Sequence, residues 1–361
     1  MSPPLYIASV DAYSGKSLTA LAVGLHLRDA GYRVGYFRPL GSLPHTVGDV
    51  VTDEDALFIS NRLNPDAPLE AICPLLFTPD LTQRALAGDL AGLPDQIRAA
   101  YAKIAADREV MIVGGLGDLA RGSLLGLSAV AVAELLDAKV LVLARHESLA
   151  GQADASVEEM LLARRLLGDR LIGAIFNFAG PDQEEALRGP LGQHLRRRGI
   201  TVLGAIPRDE LLGAVTVREL VEHLPAKLLC CEKAIDQLVV HFVVGAMGVA
   251  SAAKYFRQLA DKAVITGGDR ADIQLAALQT ATSAIILTGN IYPSPVIVSR
   301  AQQLGVPLLL APHDTLATVA RTEQIAGRIR IRENAKVERA RALFEEHVDM
   351  SCIRAAIGLP A

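Results

Sequence analysis

The chain has 361 residues, and 51% of them are hydrophobic although only 4% are aromatic. This length exceeds what one ordinary core needs, and small aliphatic residues suit parallel strands packed between helices, so we expect two α/β domains. The formal net charge of −4 at pH 7 excludes a general electrostatic attraction to nucleic acid or to an anionic membrane surface. Neither is therefore expected as a partner.

The four cysteines, Cys73, Cys230, Cys231 and Cys352, lack the spacing of metal ligands and the density of a disulfide framework. We expect them to be reduced thiols, which favours a cytoplasmic location. The sequence shows neither a charged leader followed by an apolar signal segment nor an apolar run long enough to span a bilayer.

Short apolar runs alternate with amphipathic stretches from the first residues onward, which is typical of parallel strands joined by crossover helices. The predicted strands of the first domain are Leu5–Ser9, Val34–Phe37, Val110–Val113, Val140–Ala144, Leu171–Phe176 and Val202–Ile206. Helices are predicted at Ser17–Ala30 and Ala153–Leu167, each followed by a glycine that suits a helix C-terminus. This order predicts an α/β fold with a doubly wound parallel sheet.

A polar stretch at Pro207–Ala214 follows the last of these strands and marks the expected joint between domains 1–210 and 211–361. Thr216 and Glu219 then have the spacing of a capping box that opens a helix. Further strands are predicted at Leu238–Val244, Ala263–Thr266, Ala284–Leu287 and Val306–Leu310, and Arg328–His347 is predicted to form a terminal strand and an exposed helix. The second domain is thus expected to be a smaller α/β unit.

The strongest functional signal is the segment Ser9–Ser17, between the first strand and the first helix. The backbone amides of such a loop face a helix N-terminus, where phosphate binds, so we identify it as a P-loop. In a P-loop the glycine admits the phosphates, the lysine reaches their outer oxygens and the serine hydroxyl helps to hold Mg²⁺. The expected nucleotide contacts are Asp11, Ala12, Tyr13, Ser14, Gly15, Lys16, Ser17 and Leu18, with ATP and Mg²⁺ as cofactors. A coincidental Gly-Lys-Ser at a helix cap is the structural alternative.

The loop departs from the strict P-loop spacing, because Val10 stands five positions before Gly15. Its length instead resembles the P-loop of the dethiobiotin synthetase family, G-T-D-T-x-V-G-K-T, with Ser9 at the first glycine and Asp11 at the aspartate. A carboxylate there would repel phosphate unless it met Mg²⁺ or a substrate proton, so we expect a functional role for Asp11. Gly204–Pro207 resembles the G-x-I-P that follows a late strand in that family.

Three further positions match the family, and each has a structural alternative. Arg38 follows the second strand as the family's basic residue does, or it is a surface side chain. Asp55 lies where the family places an acidic metal contact, or the run Asp53–Asp55 favours a helix N-terminus electrostatically. Asn177 ends a strand as the family's base-contacting asparagine does, or it caps a turn. The residues alone leave these alternatives open, with Ser17 and Asp55 as the expected metal contacts.

Gly114 is the main departure from the family. Dethiobiotin synthetases end the matching strand in E-G-A-G-G, whose glutamate helps to hold Mg²⁺, and this chain has Gly114 at that position. Magnesium accepts water at several of its positions. The resemblance therefore implies nucleotide binding with weaker placement of the metal for catalysis.

In the second domain, glycines and polar residues follow three predicted strands. Because parallel strand ends meet at one edge of a sheet, we expect a small-ligand pocket there. Its predicted residues are Gly267, Gly268, Asp269, Arg270, Thr288, Gly289, His313 and Asp314. Asp269 also suits the N-cap of the next helix, so capping and ligand contact stay open. The arrangement resembles a DRTGG domain, although that five-residue string does not occur.

A dethiobiotin-synthetase-like domain followed by a DRTGG domain resembles the N-terminal, non-catalytic half of long bacterial phosphate acetyltransferases. Its most specific stretches are Tyr13–Ser17, Leu135–Val140 and Gly267–Arg270. The resemblance implies an ATP- and Mg²⁺-binding regulatory protein of acetyl-phosphate and acetyl-CoA metabolism, without acetyltransferase activity of its own. It also implies a homo-oligomer and admits a metabolic enzyme as partner.

Two other functions stay open from the sequence. An ATP-dependent ligase of the dethiobiotin synthetase or cobyrinate diamide synthase type would activate a carboxylate or carbamate by phosphoryl transfer. Asp11, Lys16 and Arg38 suit that chemistry, whereas Gly114 argues against it. The other alternative is a scaffold whose P-loop has lost its nucleotide, since Ser9 replaces the first glycine. Weak ATPase activity is compatible with the regulatory function.

Overall fold

A computed structural model describes residues 3–146, 152–326 and 334–360. The chain divides into two compact units, one formed by Met1–Asp209 with Ile331–Ala361 and the other by Glu210–Arg330. Within the three described ranges, no helix combines the length and the apolar character that a membrane crossing requires.

The N-terminal part of the first unit contains ten strands and nine α-helices in its described residues. The strands are β1 (Leu5–Ser9), β2 (Val34–Phe37), β3 (Leu40–Gly41), β4 (Pro44–Val47), β5 (Val50–Asp53), β6 (Leu75–Leu76), β7 (Val110–Gly114), β8 (Lys139–Arg145), β9 (Leu171–Ala179) and β10 (Val202–Pro207). The helices are α1 (Lys16–Asp29), α2 (Glu54–Leu63), α3 (Leu69–Ile72), α4 (Pro79–Leu86), α5 (Leu93–Ala105), α6 (Ala129–Leu135), α7 (Gln152–Leu167), α8 (Pro181–Arg188) and α9 (Pro190–Arg197).

Six of these strands form one parallel sheet in the order β10-β9-β8-β1-β7-β2. All six predicted strands are present, several of them longer than predicted, and the predicted α/β class is confirmed. From β1 the chain first builds β2 and β7 on one side and then β8, β9 and β10 on the other. The loop after β1 therefore lies at the point where the chain changes direction, which is where doubly wound sheets bind ligands.

A small hairpin precedes α2 and brings acidic residues to the main sheet. Strands β4 and β5 pair in antiparallel register, from Pro44 opposite Asp53 to Val47 opposite Val50. The Asp53 carboxylate caps α2 by accepting a hydrogen bond from the Ala56 amide at 3.0 Å. The hairpin thus fixes where α2 starts, and with it the position of Asp55 in the first turn.

The second unit has its own sheet. Its elements are α10 (Glu210–Gly213), β11 (Val215–Thr216), α11 (Val217–His223), β12 (Lys227–Cys230), β13 (Leu238–Val239), β14 (His241–Val244), α12 (Val249–Phe256), β15 (Lys262–Gly267), α13 (Ala271–Leu278), β16 (Thr282–Thr288), α14 (Pro295–Leu304), β17 (Leu308–Leu310) and α15 (Thr315–Ala326). Five strands pair in the order β12-β17-β16-β15-β14, all parallel except β12. The sequence did not predict β12, which is short and begins with an exposed lysine.

The predicted capping box at the start of α11 is confirmed. Thr216 Oγ1 accepts a hydrogen bond from the Glu219 amide at 3.2 Å, and Glu219 Oε2 accepts one from the Thr216 amide at 2.8 Å. Both residues are buried. The box therefore satisfies two amides that would otherwise lack partners inside the unit.

The C-terminal helices, α16 (Asn334–His347) and α17 (Met350–Ala356), belong to the first unit and not to the expected domain 211–361. Helix α16 buries Val337, Leu343 and Phe344, so the prediction of an exposed helix was wrong. Its Arg341 also forms an ion pair with Asp29 at the end of α1 at 2.7 Å. The apolar stripe needs a partner surface, and α1 supplies it. The strand predicted before this helix lies outside the described residues.

Candidate functional site

The P-loop lies where the sequence predicts it, between the end of β1 and the start of α1. Gly15, the last residue before α1, has a φ of 93°, a left-handed conformation that favours glycine. An ideal Cβ built on Gly15 would lie 2.7 Å from Asn177 Nδ2. Both the backbone conformation and the contact therefore require glycine there, directly before a helix N-terminus of the kind that binds anions.

Lys16 is hydrogen-bonded to the serine that opens the loop. Lys16 Nζ donates to Ser9 Oγ at 2.7 Å, and the Ser9 hydroxyl in turn faces the carbonyl oxygens of Asp11 at 2.6 Å and Gly117 at 3.0 Å. Burial, reinforced by the nearby Arg38 charge, lowers the pKa of Lys16 to about 8. The ammonium is a poorly hydrated cation that gains from a negative ligand.

Asp11 holds the loop together. Its carboxylate accepts hydrogen bonds from the Ser14 hydroxyl through Oδ1 and from the Arg145 amide at 2.9 Å through Oδ2. The Asp11 charge also opposes the lowering of the Lys16 pKa. Asp11 thus orders the P-loop against β8, while the expected contact with Mg²⁺ or a substrate proton stays a prediction.

The two predicted metal contacts are adjacent. Ser17 Oγ donates a hydrogen bond to Asp55 Oδ2 at 3.1 Å, and Arg38 Nη1 lies 3.6 Å from the same oxygen. Arg38 is buried, so its alternative as a surface side chain is wrong. Its Nη1 also lies 3.3 Å from Asp53 Oδ1. Within the acidic run, Asp53 therefore caps the helix and supports Arg38, and Asp55 is the carboxylate beside the P-loop serine.

Three buried polar atoms around this cluster have no hydrogen-bond partner within the described ranges. They are Tyr36 Oη, Arg38 Nε and Thr52 Oγ1. Leaving a buried polar group unpaired costs ~1–3 kcal/mol, and such groups usually mark a ligand or water site. Together with the buried ammonium of Lys16 and the Ser17–Asp55 pair, they fit an oxygen-rich anion such as a triphosphate with Mg²⁺.

The structure gives a physical reason for the glycine at position 114. An ideal Cβ built on Gly114 would lie 2.2 Å from Tyr36 Oη and 3.0 Å from Tyr36 Cζ. Tyr36 lies on β2, opposite Ile112 of β7, so its ring covers the position two residues further along the same face. The sequence analysis missed Tyr36. The only feature of the sequence that pointed to Tyr36 was its position as a tyrosine on a predicted buried strand, two residues before Arg38.

Asn177 contacts the P-loop itself. Its Nδ2 donates to the Ser14 carbonyl at 3.0 Å and its Oδ1 accepts from the Phe178 amide at 2.9 Å. Nδ2 thus supports the P-loop and Oδ1 supports the turn after β9, while contact with a base stays a prediction. Arg145, which the sequence analysis also missed, lies with its guanidinium carbon 4.7 Å from the centre of the Phe178 ring. Cationic and aromatic surface thus borders the loop.

The segment Gly204–Pro207 lies on β10, at the far edge of the sheet from the P-loop strand. Gly204 forms a bridge with Val348, which follows α16. An ideal Cβ at Gly204 would lie 2.7 Å from the His347 carbonyl oxygen. This glycine therefore serves the packing of the C-terminal segment, while Ile206 of the same strand is in register with Asn177 of β9.

In the second unit, the predicted ligand residues lie along one edge of the sheet. Gly267 at the end of β15 is in register with Thr288 at the end of β16. The Gly289 amide donates to the His313 carbonyl at 2.7 Å, which links the segment after β16 to that after β17. An ideal Cβ at Gly268 would lie 1.7 Å from the Ile291 carbonyl oxygen, so only glycine fits there. Ligand contact at this edge stays a prediction.

Of the two aspartates that precede helices in this unit, Asp269 does not cap its helix and Asp314 does. Asp269 is not the N-cap of α13, because that position is Arg270 and it makes no side-chain capping hydrogen bond. Arg270 instead pairs with Asp272 through two contacts of 3.0 and 3.1 Å. Asp314 does cap the next helix, since its Oδ1 accepts from the Ala317 amide at 2.8 Å.

Comparison with known proteins agrees with this two-part organisation. A family model described as an AAA domain matches residues 4–216, and one described as a DRTGG domain matches residues 219–325. The phosphate acetyltransferase of Synechocystis sp. is 27% identical over 362 residues, covering 97% of this chain and 51% of that protein. The ATP-dependent dethiobiotin synthetase of Caldicellulosiruptor saccharolyticus is 25% identical over 118 residues, covering 32% of this chain and 49% of that protein.

Among solved structures, the cobyrinic acid a,c-diamide synthase of Mycobacterium smegmatis with bound ADP and magnesium is similar at 22% identity. That similarity covers 58% of this chain and 88% of the other, with a TM-score of 0.35. The chain spans about half the length of the phosphate acetyltransferases it matches. The chain belongs to the AAA domain family, with a P-loop domain of the dethiobiotin-synthetase type followed by a DRTGG domain.

Proposed function

We propose that this chain is a nucleotide-responsive regulatory protein. Its first unit binds ATP with Mg²⁺, and its second unit binds a further small ligand or joins two copies of the chain. The observation that carries the proposal is the placement of Lys16, a half-buried residue at the start of α1, directly after a left-handed glycine and hydrogen-bonded to Ser9. A poorly hydrated cation beside the N-terminal amides of a helix gains most from a phosphate chain.

Each group has a distinct role in binding. The α1 amides and Lys16 hold the phosphates, and Asp11 and Asn177 fix the loop that presents them. Ser17 and Asp55 would hold Mg²⁺, with phosphate and water oxygens completing its preferred octahedron. The metal would supply positive charge that neutralises the phosphates.

Tight binding with little turnover follows from the same geometry. Tyr36, a neutral phenol, occupies the space that a side chain at position 114 would need. The Asp11 carboxylate is engaged by Ser14 and by the Arg145 amide. These features support nucleotide binding over phosphoryl transfer, which needs groups aimed at the charge that develops in the transition state.

Regulation requires that ATP bind two states of the protein unequally. The Ser9–Lys16 hydrogen bond offers one such difference, because Lys16 would exchange Ser9 for a phosphate oxygen when nucleotide binds. Ser9 also faces the carbonyl of Gly117, in the segment that follows β7. We therefore propose that nucleotide binding first changes the conformation of the loops after β1 and β7.

The phosphate acetyltransferase relatives support a setting in acetyl-phosphate and acetyl-CoA metabolism. A metabolic enzyme as partner and a cytoplasmic location are further parts of the proposal. The ligase alternative is supported by the shorter similarity to dethiobiotin synthetase. It differs from the regulatory proposal in requiring phosphoryl transfer to a carboxylate or carbamate.

Two measurements on the full chain test the proposal. Calorimetric titration with ATP, with and without Mg²⁺, measures binding, and a phosphate-release assay measures turnover. Micromolar or tighter binding with slow release supports a sensor. Rapid release that depends on an added carboxylate or amine would support the ligase, and no binding would support a scaffold.

A further inference from the structure

The Tyr36 hydroxyl is a buried polar group without an assigned role. The residue is fully buried, and its Oη has no hydrogen-bond partner among the residues that the structure describes. The Tyr36 amide is satisfied, since it donates to Asn64 Oδ1 at 3.1 Å. The backbone and ring are therefore held firmly while the hydroxyl alone is left unpaired.

The position of this hydroxyl relates it to the P-loop. It lies 2.2 Å from where a Cβ on Gly114 would be, at the end of β7. Strand β7 pairs with β1, with Gly114 opposite Ile7, two residues before Ser9. Because the strands are parallel, the ends of β7 and β1 share the sheet edge at which the P-loop begins.

Charged groups of the predicted nucleotide site act electrostatically on the same hydroxyl. Burial raises the pKa of Tyr36, the positive charge of Arg38 lowers it, and the charges of Asp53 and Asp55 raise it. The phenol thus stays protonated at neutral pH and acts as a donor. Since Asp55 contacts Ser17, the hydroxyl and the predicted metal contacts belong to one cluster.

We propose that the Tyr36 hydroxyl is a nucleotide-binding group, which donates a hydrogen bond to an oxygen of bound Mg²⁺–triphosphate. This inference rests on the proposed function and adds a residue to its site. The Tyr36 hydroxyl occupies the space that a side chain at position 114 would fill. Dethiobiotin synthetases have a glutamate at that position, whereas this chain has Gly114 with the neutral Tyr36 hydroxyl beside it. The acceptor is a phosphate oxygen.

The test compares Tyr36→Phe with the wild type by calorimetric titration with ATP, once with Mg²⁺ and once with EDTA. Loss of one hydrogen bond predicts about three- to tenfold weaker binding. A loss only with Mg²⁺ means that the metal brings the phosphate oxygen within reach of the hydroxyl, and a loss under both conditions means that the contact forms without the metal. Tyr101→Phe is the matched control, since this half-buried tyrosine of α5 packs its ring against Phe37. It should bind ATP as the wild type does.

Denaturant unfolding of the nucleotide-free proteins separates this role from a structural one. Removing an unpaired hydroxyl should leave the stability of Tyr36→Phe equal to or above that of the wild type. Unchanged ATP affinity, or a variant that fails to fold, would overturn the inference. Failure of the proposed function is recognised separately, because in that case the wild type itself binds no ATP.

Discussion

Lys16 Nζ lies 2.7 Å from Ser9 Oγ, so the phosphate-reaching cation is hydrogen-bonded to the serine that stands at the family's first-glycine position. A glycine could not make this bond. The serine gives the buried ammonium an internal partner, which a phosphate oxygen would have to replace. Ser9 therefore affects both the stability of the nucleotide-free protein and its ATP affinity.

Ser9→Ala should separate these two effects. The buried ammonium loses a partner, so we expect the nucleotide-free protein to lose about 1–3 kcal/mol of stability in denaturant unfolding. ATP binding no longer has to break that bond, so the affinity should rise several-fold. Ser60→Ala removes a buried hydroxyl on α2 that faces Asn64, and it is the matched control. Weaker ATP binding by a folded Ser9→Ala protein would show that Ser9 is itself a ligand contact.

The pH dependence of both properties follows from Lys16, whose pKa is lowered by burial from 10.5 to about 8. ATP affinity should fall as the pH rises through 8, because the ammonium loses its charge. Between pH 8 and 10.5 the unfolded chain binds more protons at this residue than the folded chain does. The Lys16 contribution to folding stability therefore rises with pH across that window, by on the order of 1–3 kcal/mol in total.

The Lys16 contribution is isolated by measuring the stability of the wild type and of Lys16→Met as a function of pH and subtracting one from the other. Methionine keeps most of the apolar stem of lysine without its charge. We expect the stability difference between the two proteins to change with pH between 8 and 10.5 and to be constant below pH 7. A difference that is flat across the whole range would mean that the Lys16 pKa is not lowered.

Gly114→Ala should destabilise the first unit by about 1–3 kcal/mol, because the new Cβ collides with Tyr36 Oη and two paired strands cannot easily separate. The same substitution in a Tyr36→Phe background should cost less, since the closest atom is gone. This double-mutant cycle measures the coupling directly. Gly213→Ala, where a Cβ meets nothing within 4 Å, is the control. Additive effects of the two substitutions would contradict the packing of Tyr36 against Gly114.

Phe344→Ala should destabilise the first unit by about 3 kcal/mol or somewhat more, because Phe344 is a buried residue of α16. ATP should raise the unfolding midpoint of the unit that binds it, which identifies the transition of the first unit. Phe344→Ala should lower the midpoint of that same transition. Leu316→Ala removes an exposed side chain of the second unit and should change little. If Phe344→Ala affects only a transition that ATP leaves unchanged, α16 belongs to the second unit, as the sequence led us to expect.

The sequence predicted what local pattern determines. Apolar runs located all six strands of the first sheet, and the spacing of Gly15, Lys16 and Ser17 located the P-loop. It could not predict contacts made across the fold. The packing of Tyr36 over Gly114 depends on the register of β2 and β7. The burial of α16 depends on a short apolar stripe within a charged stretch, which reads equally well as a surface helix.

Calorimetric titration of the wild-type chain and of Lys16→Met with ATP and Mg²⁺ is the most direct test of the nucleotide site. Charge-assisted hydrogen bonds contribute about 1.5–3 kcal/mol each, so losing the Lys16 ammonium should weaken ATP binding at least tenfold. Lys103→Met, at an exposed lysine of α5, should bind as the wild type does. Equal ATP affinity for the wild type and a folded Lys16→Met protein would contradict the assignment of this loop as a phosphate site.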